Sequence, residues 1–366
     1  MTVRILKFGG SSFRNAEDYN FIASHIVRRL SSDADRIVVI VSAMSGITES
    51  LKQLALSVNE RCGRAALDAV LTSGEVVSVG LLEAALEQHS VAVSSLFGYS
   101  LGVWVSSGFN RASIEAINRS PLRNALETSQ VVIVAGAQGV DRSGRISMLG
   151  RNSSDLTAVI AADIVGSGSC EIYSDVCGIY TADPHLVKGA RLVPEISHTC
   201  VSRMARHGAK VLHYGALEYA SSRGIVITCK SLRPREVVGT HVAATGDVAT
   251  VVVDRSATRL DFDDRFEWLA ALRVLEELDI TWVGSGQDVG GPIYLSHDAD
   301  VGVGILTERQ IKLLHIGKRI LVSEITSDAT RINEFYDLSS AVSCAQKLHA
   351  DLYPEERQLA SATYNK

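Results

Sequence analysis

Two hydrophobic spacings alternate through the first 230 residues of the chain. Short runs rich in β-branched residues, apolar at nearly every position, lie at Arg4–Phe8, Arg36–Ser42, Val91–Leu96, Gln130–Ala135, Glu171–Ser174 and Ile225–Cys229. Between them, apolar residues recur every three or four positions over Ala16–Leu30, Ile47–Asn59, Arg64–Gln88, Asp155–Val165 and Val201–Arg206. The first spacing predicts strands buried on both faces, and the second predicts helices with one apolar stripe. Such strands alternating with helices make a mainly parallel sheet between helical layers, an α/β fold. Ligands of these sheets bind beyond the carboxyl ends of the strands, in the turns.

After Lys230 the pattern changes. SLRPREVVGTH carries a proline and clustered charges and reads as a linker. Beyond it the spacing predicts strand Thr250–Val253, helix Phe266–Leu278, and strands Ile280–Gly284 and Ile293–Ser296. Helix Glu308–Ile316, strand Arg319–Ile325 and helix Leu338–Leu352 follow. This βαββαβ-type order suits a small α+β module with helices on one face of an antiparallel sheet. The boundary is expected within residues 230–247, giving domains of 1–242 and 243–366.

Composition narrows the function classes. At 366 residues the chain suits two domains, and 46% hydrophobic with 21% charged residues is an ordinary globular mixture. A net charge of −5 without a basic run gives no electrostatic footprint for nucleic acid. The longest apolar runs, Ile37–Met44 and Val131–Ala137, have strand length and do not predict a membrane span. The start, MTVRILKFGGSS, is charged within four residues and broken by a glycine pair, unlike a signal peptide. Six cysteines are widely spaced with no CxxC pair, the pattern of reduced thiols in a cytoplasmic protein.

Four turns carry candidate chemistry. Lys7-Phe8-Gly9-Gly10-Ser11-Ser12 follows the first strand. Paired glycines let N–H groups approach a bulky anion, and Lys7 adds a compact positive charge. The same string fits a plain strand-to-helix turn with an exposed lysine. Gly150-Arg151-Asn152-Ser153-Ser154-Asp155 precedes an apolar helix. There Ser154 or Asp155 is a candidate N-cap, and Arg151 suits bidentate capture of a carboxylate or a simple surface position. Tyr173-Ser174-Asp175-Val176 through Tyr180-Thr181-Ala182-Asp183-Pro184 could hold a nucleoside or be an ordinary loop. Gly208-Ala209-Lys210-Val211-Leu212-His213 brings a lysine to the sheet's mouth, with His213 read as a packing or capping residue. There is no GxxxxGK[ST], and Gly284-Ser285-Gly286 leads into a strand, so P-loop and dinucleotide-fold readings are set aside.

In order along residues 4–242, KFGGSS at 7–12, VSAMSGIT at 41–48, TSGE at 72–75, AGAQGVDRSGRISMLGR at 135–151, EIYSDVCGIYTADP at 171–184 and GAKVLH at 208–213 resemble the aspartokinase branch of the amino-acid kinase family. The resemblance implies a three-layer αβα amino-acid-kinase fold with a smaller ACT-like (ferredoxin-like) C-terminal domain for regulation or dimerisation. It implies ATP-dependent phosphorylation of an amino-acid carboxylate, L-aspartate to 4-phospho-L-aspartate, in a cytoplasmic homodimer. In that reading Lys7, Gly9, Gly10 and Ser12 cradle the transferring phosphoryl group, Lys210 shares its charge and Asp155 orients the lysines. Ser174, Asp175, Tyr180 and Lys188 line the nucleotide side. Ser42, Glu75, Arg151, Asn152 and Ser153 surround the amino acid, with Glu75 near its ammonium. Mg2+ is expected on the ATP phosphates and not in a carboxylate cage.

The chain departs from the family pattern at four places. Asn152-Ser153 replaces a glycine pair, Ala137 an aromatic, and His185 an arginine near the nucleotide. The family's PDxPG turn is missing, and ILVSEIT at 320–326 carries what likeness the second domain shows. Weak or absent feedback by lysine and threonine is therefore expected. Two other readings stay open: a kinase for a different acid, and a non-catalytic homologue.

Overall fold

A computed structural model describes residues 2–106, 112–150, 153–233, 236–278, 280–284, 290–297 and 299–354. They form two compact units. The first comprises Met1–Ile179, Val193–Ala205 and Lys210–Asp247; the second comprises Tyr180–Leu192, Arg206–Ala209 and the chain from Val248.

Twelve strands belong to the first unit: β1 (Val3–Phe8), β2 (Arg36–Val41), β3 (Val93–Leu96), β4 (Val103–Val105), β5 (Ile114–Ile117), β6 (Val131–Ala135), β7 (Gln138–Val140), β8 (Ile146–Met148), β9 (Ser169–Tyr173), β10 (Glu195–Ser197), β11 (Val226–Ser231) and β12 (Val237–Ala243). Its helices are α1 (Ala16–Ser32), α2 (Ile47–Val58), α3 (Arg64–Glu87), α4 (Ser120–Thr128), α5 (Ser154–Val165), α6 (His198–Arg206) and α7 (Tyr214–Arg223). Eight strands form one sheet in the order β10-β12-β11-β9-β1-β2-β6-β3, and β5-β4-β7-β8 form a smaller one. In the large sheet every neighbouring pair is parallel except β11 with β12.

The period-2 alternation decides what each strand residue meets. On one face Leu6, Phe8, Ile37, Val39, Val41, Ile133 and Tyr173 join the core with Ile22 and Ile26 of α1 and Val79 and Leu82 of α3. On the other face α5 packs over β1, β2 and β9. Lys7 lies between Leu6 and Phe8 and therefore points toward α5. This is the three-layer arrangement expected from the spacing. Among the described residues α3 is the one helix long and apolar enough in composition to cross a bilayer, a feature the short-run reading overlooked. Here it lies on the sheet with Leu71, Val79, Leu82 and Leu86 buried.

The stretch read as a linker is largely strand. β11 runs to Ser231, and β12 pairs antiparallel with it and parallel with β10. Thr240 and Val242 are fully buried, and Gly239 passes so close to Cys177 that a Cβ would overlap its carbonyl oxygen. The proline and clustered charges in the sequence hid the short alternation of the second of these strands.

The second unit contains β13 (Thr250–Phe262), α8 (Arg265–Glu277), β14 (Val283–Gly284), β15 (Ile293–Leu295), α9 (Ala299–Glu308), β16 (Leu313–Ile325), β17 (Thr330–Phe335) and α10 (Leu338–Leu352). Its sheet runs β14-β15-β13-β16-β17, with antiparallel neighbours throughout. The first six elements make a βαββαβ unit whose helices bury Ala271, Leu275, Ile305 and Leu306 against Leu260 and Leu295. A helix was expected at Glu308–Ile316, but α9 ends there. Gln310 takes φ +60°, Ile311 N–H returns to Leu306 O at 3.0 Å, and the next strand begins at Leu313. That left-handed cap ends the helix although glutamine is a good helix former.

Candidate active site

The site grows from the carboxyl end of β1. Gly9 N–H donates to Tyr173 O at 3.2 Å, so it extends the β1–β9 ladder and is not available to an anion. The chain then turns through a short 3-10 segment, Gly10–Ser12, closed by Ser12 N–H to Gly9 O and Phe13 N–H to Gly10 O. Among the described residues the Gly10 and Ser11 N–H groups take no backbone acceptor, so these are the amides free for a phosphate. A Cβ on Gly10 would stand 3.0 Å from Ala43 O, so glycine is needed for close approach to the β2 turn.

Lys7 Nζ lies 2.6 Å from Asp155 Oδ1, with both side chains almost wholly buried. Asp155 sits in the first turn of α5, where a carboxylate suits the helix dipole, and its Oδ2 accepts from His213 N–H at 3.1 Å. Neither Ser154 nor Asp155 is the N-cap as expected. That position is Ser153, whose hydroxyl donates to Gly150 O at 2.7 Å. Ser154 Oγ instead stands 2.8 Å from Ser42 Oγ at the end of β2. His213 precedes α7 as its N-cap residue. Lys210 is exposed in the loop before it.

Glu75, on α3, is 6% exposed, and its Oε1 accepts from Ala43 N–H at 3.2 Å. Ala43 thus joins two parts of the site: its carbonyl lies against Gly10 and its amide holds Glu75. Among the described residues Glu75 Oε2 is buried without a hydrogen-bond partner. Burial raises the carboxyl's pKa and the Ala43 amide restrains the rise, leaving it pushed up to about 7. One turn earlier on α3, Leu71 packs with Ala137 and Met148. Ala137 holds φ +63°, and its N–H is tied to Thr157 Oγ1 at 3.0 Å.

A cavity of about 400 Å³ opens beside the glycine turn. Ser12, Ser174 and Asp175 are on its wall, together with Arg14, Phe21 and Arg233. Arg233 and Arg14 both pair with the buried Asp18, and the Arg233 guanidinium lies 4.8 Å from the Phe21 ring centre.

Beneath this cavity is a charged cluster that sequence reasoning missed. Arg29 of α1 grips Glu171 of β9 with two bonds of 2.8 Å, Lys230 Nζ stands 2.9 Å from the same carboxylate, and Tyr173 Oη donates to it at 2.6 Å. Burial alone would raise the Glu171 pKa; the bonds from Arg29, Tyr173 and Lys230 outweigh it and hold it at about 2. Tyr173 in turn stacks on Phe8, ring centres 4.9 Å apart. The available signal was a charged residue inside an otherwise apolar strand, at Glu171 and at Lys230.

Of the predicted residues, Lys7, Gly9, Gly10, Ser12, Ser42, Glu75, Ser153, Asp155, Ser174, Asp175 and Lys210 fall in the first unit. Arg151 and Asn152 lie outside the described residues. Tyr180 and Lys188 belong to the second unit, with Tyr180 half-buried in a bridge to Leu192 and Lys188 exposed. The six cysteines are unpaired with one another, and burial pushes the Cys229 thiol up to about 12.

Residues 2–231 match the amino acid kinase family. The chain belongs to that family. Among curated amino acid kinases it is similar to an aspartokinase from Bacillus sp. (strain MGA3), 36% identical over 236 residues, covering 64% of this chain and 57% of the relative. An aspartokinase from Thermus thermophilus is 36% identical over 231 residues, covering 63% of this chain and 57% of the relative. The chain therefore spans a little over half the length of these relatives. Among solved structures, E. coli aspartokinase III in complex with aspartate and ADP superposes with a TM-score of 0.75 at 22% identity, covering 96% of this chain and 100% of that one. Aspartate kinase from Synechocystis gives 0.58 at 26% identity, covering 88% of this chain and 60% of that one. This likeness extends the fold match through the second, ACT-like unit.

Proposed function

We propose that the chain transfers the γ-phosphoryl group of ATP to the side-chain carboxylate of L-aspartate, giving 4-phospho-L-aspartate and ADP. One observation carries the reading: Ala43 ties the phosphate turn at Gly10 to Glu75, a buried carboxylate with an unpartnered oxygen. That oxygen is suited to an ammonium, so an amino acid would be held next to the amides that receive phosphate. The aspartokinase names of the similar proteins support the choice of acceptor.

The chemistry asks little of a general base. A carboxylate of pKa about 4 is already ionised at neutral pH and attacks the γ-phosphorus directly. The new carboxylate–phosphorus bond forms as the bridging oxygen leaves with ADP, in line with the attack. Lys7 and the Gly10 and Ser11 amides would take charge on the transferring group, and Asp155 holds the Lys7 ammonium in place. Lys210 would approach from the loop before α7. Ser42 with Ser154, Arg151, Asn152 and Ser153 would surround the acceptor, and Ser12, Ser174 and Asp175 would line the nucleotide side. Mg2+ held through the phosphate oxygens would neutralise β- and γ-phosphate charge. Lys7 and the free amides are donors that fit the phosphate oxygens themselves, which leaves the ion to be held by phosphate and water.

A second acceptor class is favoured by Ala137. It packs with Leu71 and Met148 in a buried apolar cluster one helical turn from Glu75, where it replaces the family's larger aromatic, and the smaller side chain suits a bulkier acid. We read the protein further as a cytoplasmic homodimer acting on small molecules.

A hydroxylamine-trapping assay with ATP and a panel of amino and carboxylic acids tests the proposal. Aspartate should give hydroxamate and stoichiometric ADP. Product from another acid alone would transfer the assignment to the second reading. No product from any acid would leave a non-catalytic homologue.

A further inference from the structure

Among the described residues three non-glycine positions hold positive φ: Ser90, Ala137 and Gln310. Ser90 and Gln310 lie in exposed turns after α3 and α9, whereas Ala137 is buried in the site. An L-residue in this region is strained, and it persists only where its surroundings hold it. Here the N–H and the carbonyl are both held. Ala137 N–H donates to Thr157 Oγ1 at 3.0 Å, and Ala137 O accepts from Leu149 N–H at 2.9 Å. Gly136, just before it, donates its N–H to Val41 O at 2.9 Å, and a Cβ there would fall 2.5 Å from Ser154 Cβ. The turn is thus clamped between the end of β2 and the first turn of α5.

The clamped turn rests on α3, the helix that carries Glu75. Ala137 packs with Leu71, and the fully buried Gln138 donates from Nε2 to Thr72 O at 2.9 Å. Leu71 and Thr72 lie one turn before Glu75. The start of α5, in turn, reaches three adjacent strands. Asp155 meets Lys7 of β1, Ser154 meets Ser42 at the end of β2, and Thr157 meets Ala137 beyond β6. Thr157 is itself buried, so bulk water does not compete for the Ala137 N–H.

We propose that Thr157 is a positioning residue for the acceptor half of the site; this rests on the kinase reading above. Its hydroxyl oxygen holds Ala137 in the left-handed conformation, which seats the β6–β7 turn on α3 and so fixes the helix that presents Glu75. Asp155, two residues earlier on α5, holds Lys7. One helical turn therefore sets the acceptor against the groups that take phosphate charge. Thr157 acts through Ala137 and α3, not on a reacting atom.

The test uses the full chain with ATP and aspartate, or with the one acid of the panel that the parent phosphorylates. Thr157→Val keeps the shape of the side chain and removes the accepting oxygen. The acceptor KM should rise about fivefold to tenfold, with kcat and the KM for ATP changed by less than about twofold. Thr157→Ser, which keeps the oxygen, should recover most of that loss. Thr157→Ala leaves room for a water and should shift the acceptor KM in the same direction, which covers a valine variant that does not fold. Exchange of the Ala137 amide should quicken in both. As a control for lost stability alone, Ile164→Val near the far end of α5 should lower Tm and leave the acceptor KM unchanged. The inference falls if Thr157→Val or Thr157→Ala keeps the parent's acceptor KM, if the two KM values rise together, or if Ile164→Val raises the acceptor KM equally. A parent that phosphorylates no acid removes the kinase reading together with the inference, whereas a parent that turns over beside an unaffected Thr157→Val removes the inference alone.

Discussion

Replacing Glu75 with glutamine should stabilise the free protein at alkaline pH while destroying its grip on the acceptor. Burial raises the Glu75 pKa from the usual 4.5 to about 7. That difference is worth about 3 kcal/mol, at about 1.4 kcal/mol per pH unit. The sign follows from the folded state holding the proton more tightly than the unfolded one. The stabilisation is complete below the unfolded pKa of 4.5 and is lost as pH rises through about 7. Glutamine mimics the protonated form at every pH. Thermal unfolding of Glu75→Gln and parent should therefore coincide near pH 4 and diverge with pH, to a gap of roughly 6–9 °C by pH 8.5. Binding runs the other way, because an acceptor ammonium pairs with the ionised carboxylate. Roughly a tenth of Glu75 is ionised at pH 6 and nine tenths at pH 8, so the parent's acceptor KM should fall about tenfold across that interval. The variant should show a high, flat KM. A parent KM that does not change between pH 6 and 8, or a variant less stable than the parent at pH 8.5, would refute the reasoning.

Three other outcomes are expected. Lys7→Ala should cut kcat by about a thousandfold, in keeping with the loss of a charge-stabilising donor, and should leave Asp155 buried without its partner; turnover close to parent would remove the glycine turn from the mechanism. Arg29→Met breaks the two bonds that grip Glu171 and should lower stability by about 3 kcal/mol, seen as a lower urea midpoint with the slope retained; an unchanged midpoint would contradict the assigned role of that cluster. Activity should be insensitive to millimolar lysine or threonine, and strong inhibition by either would contradict the reading of the divergent second domain.

The legible parts of the fold were those with local causes. RIVVIV at Arg36–Val41 can hardly be anything but a buried strand, and the alternation that buries Phe8 turns Lys7 toward α5. The candidate site was legible where a turn follows a strand, as at Gly9-Gly10. Even there, which amide remains free depends on pairing with the distant strand β9, and the Gly9 N–H that the turn reading counted toward a phosphate is taken by Tyr173 O. The Arg29–Glu171 grip joins residues 142 apart, and no local pattern points from one to the other. The interleaving of the two units was invisible for the same reason. Residues 180–192 read as one loop with the strand before it, yet their apolar side chains find α10. In the second domain the error at Glu308–Ile316 came from spacing that fits a helix and a strand equally well, settled by the left-handed Gln310.

The central claim is transfer of phosphorus to a carboxylate, and phosphorus NMR of the protein mixed with ATP, Mg2+ and aspartate observes it directly. The account predicts an acyl-phosphate signal that grows with ADP, requires aspartate and vanishes with Lys7→Ala. ADP appearing with inorganic phosphate alone, or an acyl phosphate formed equally well by Lys7→Ala, would contradict it.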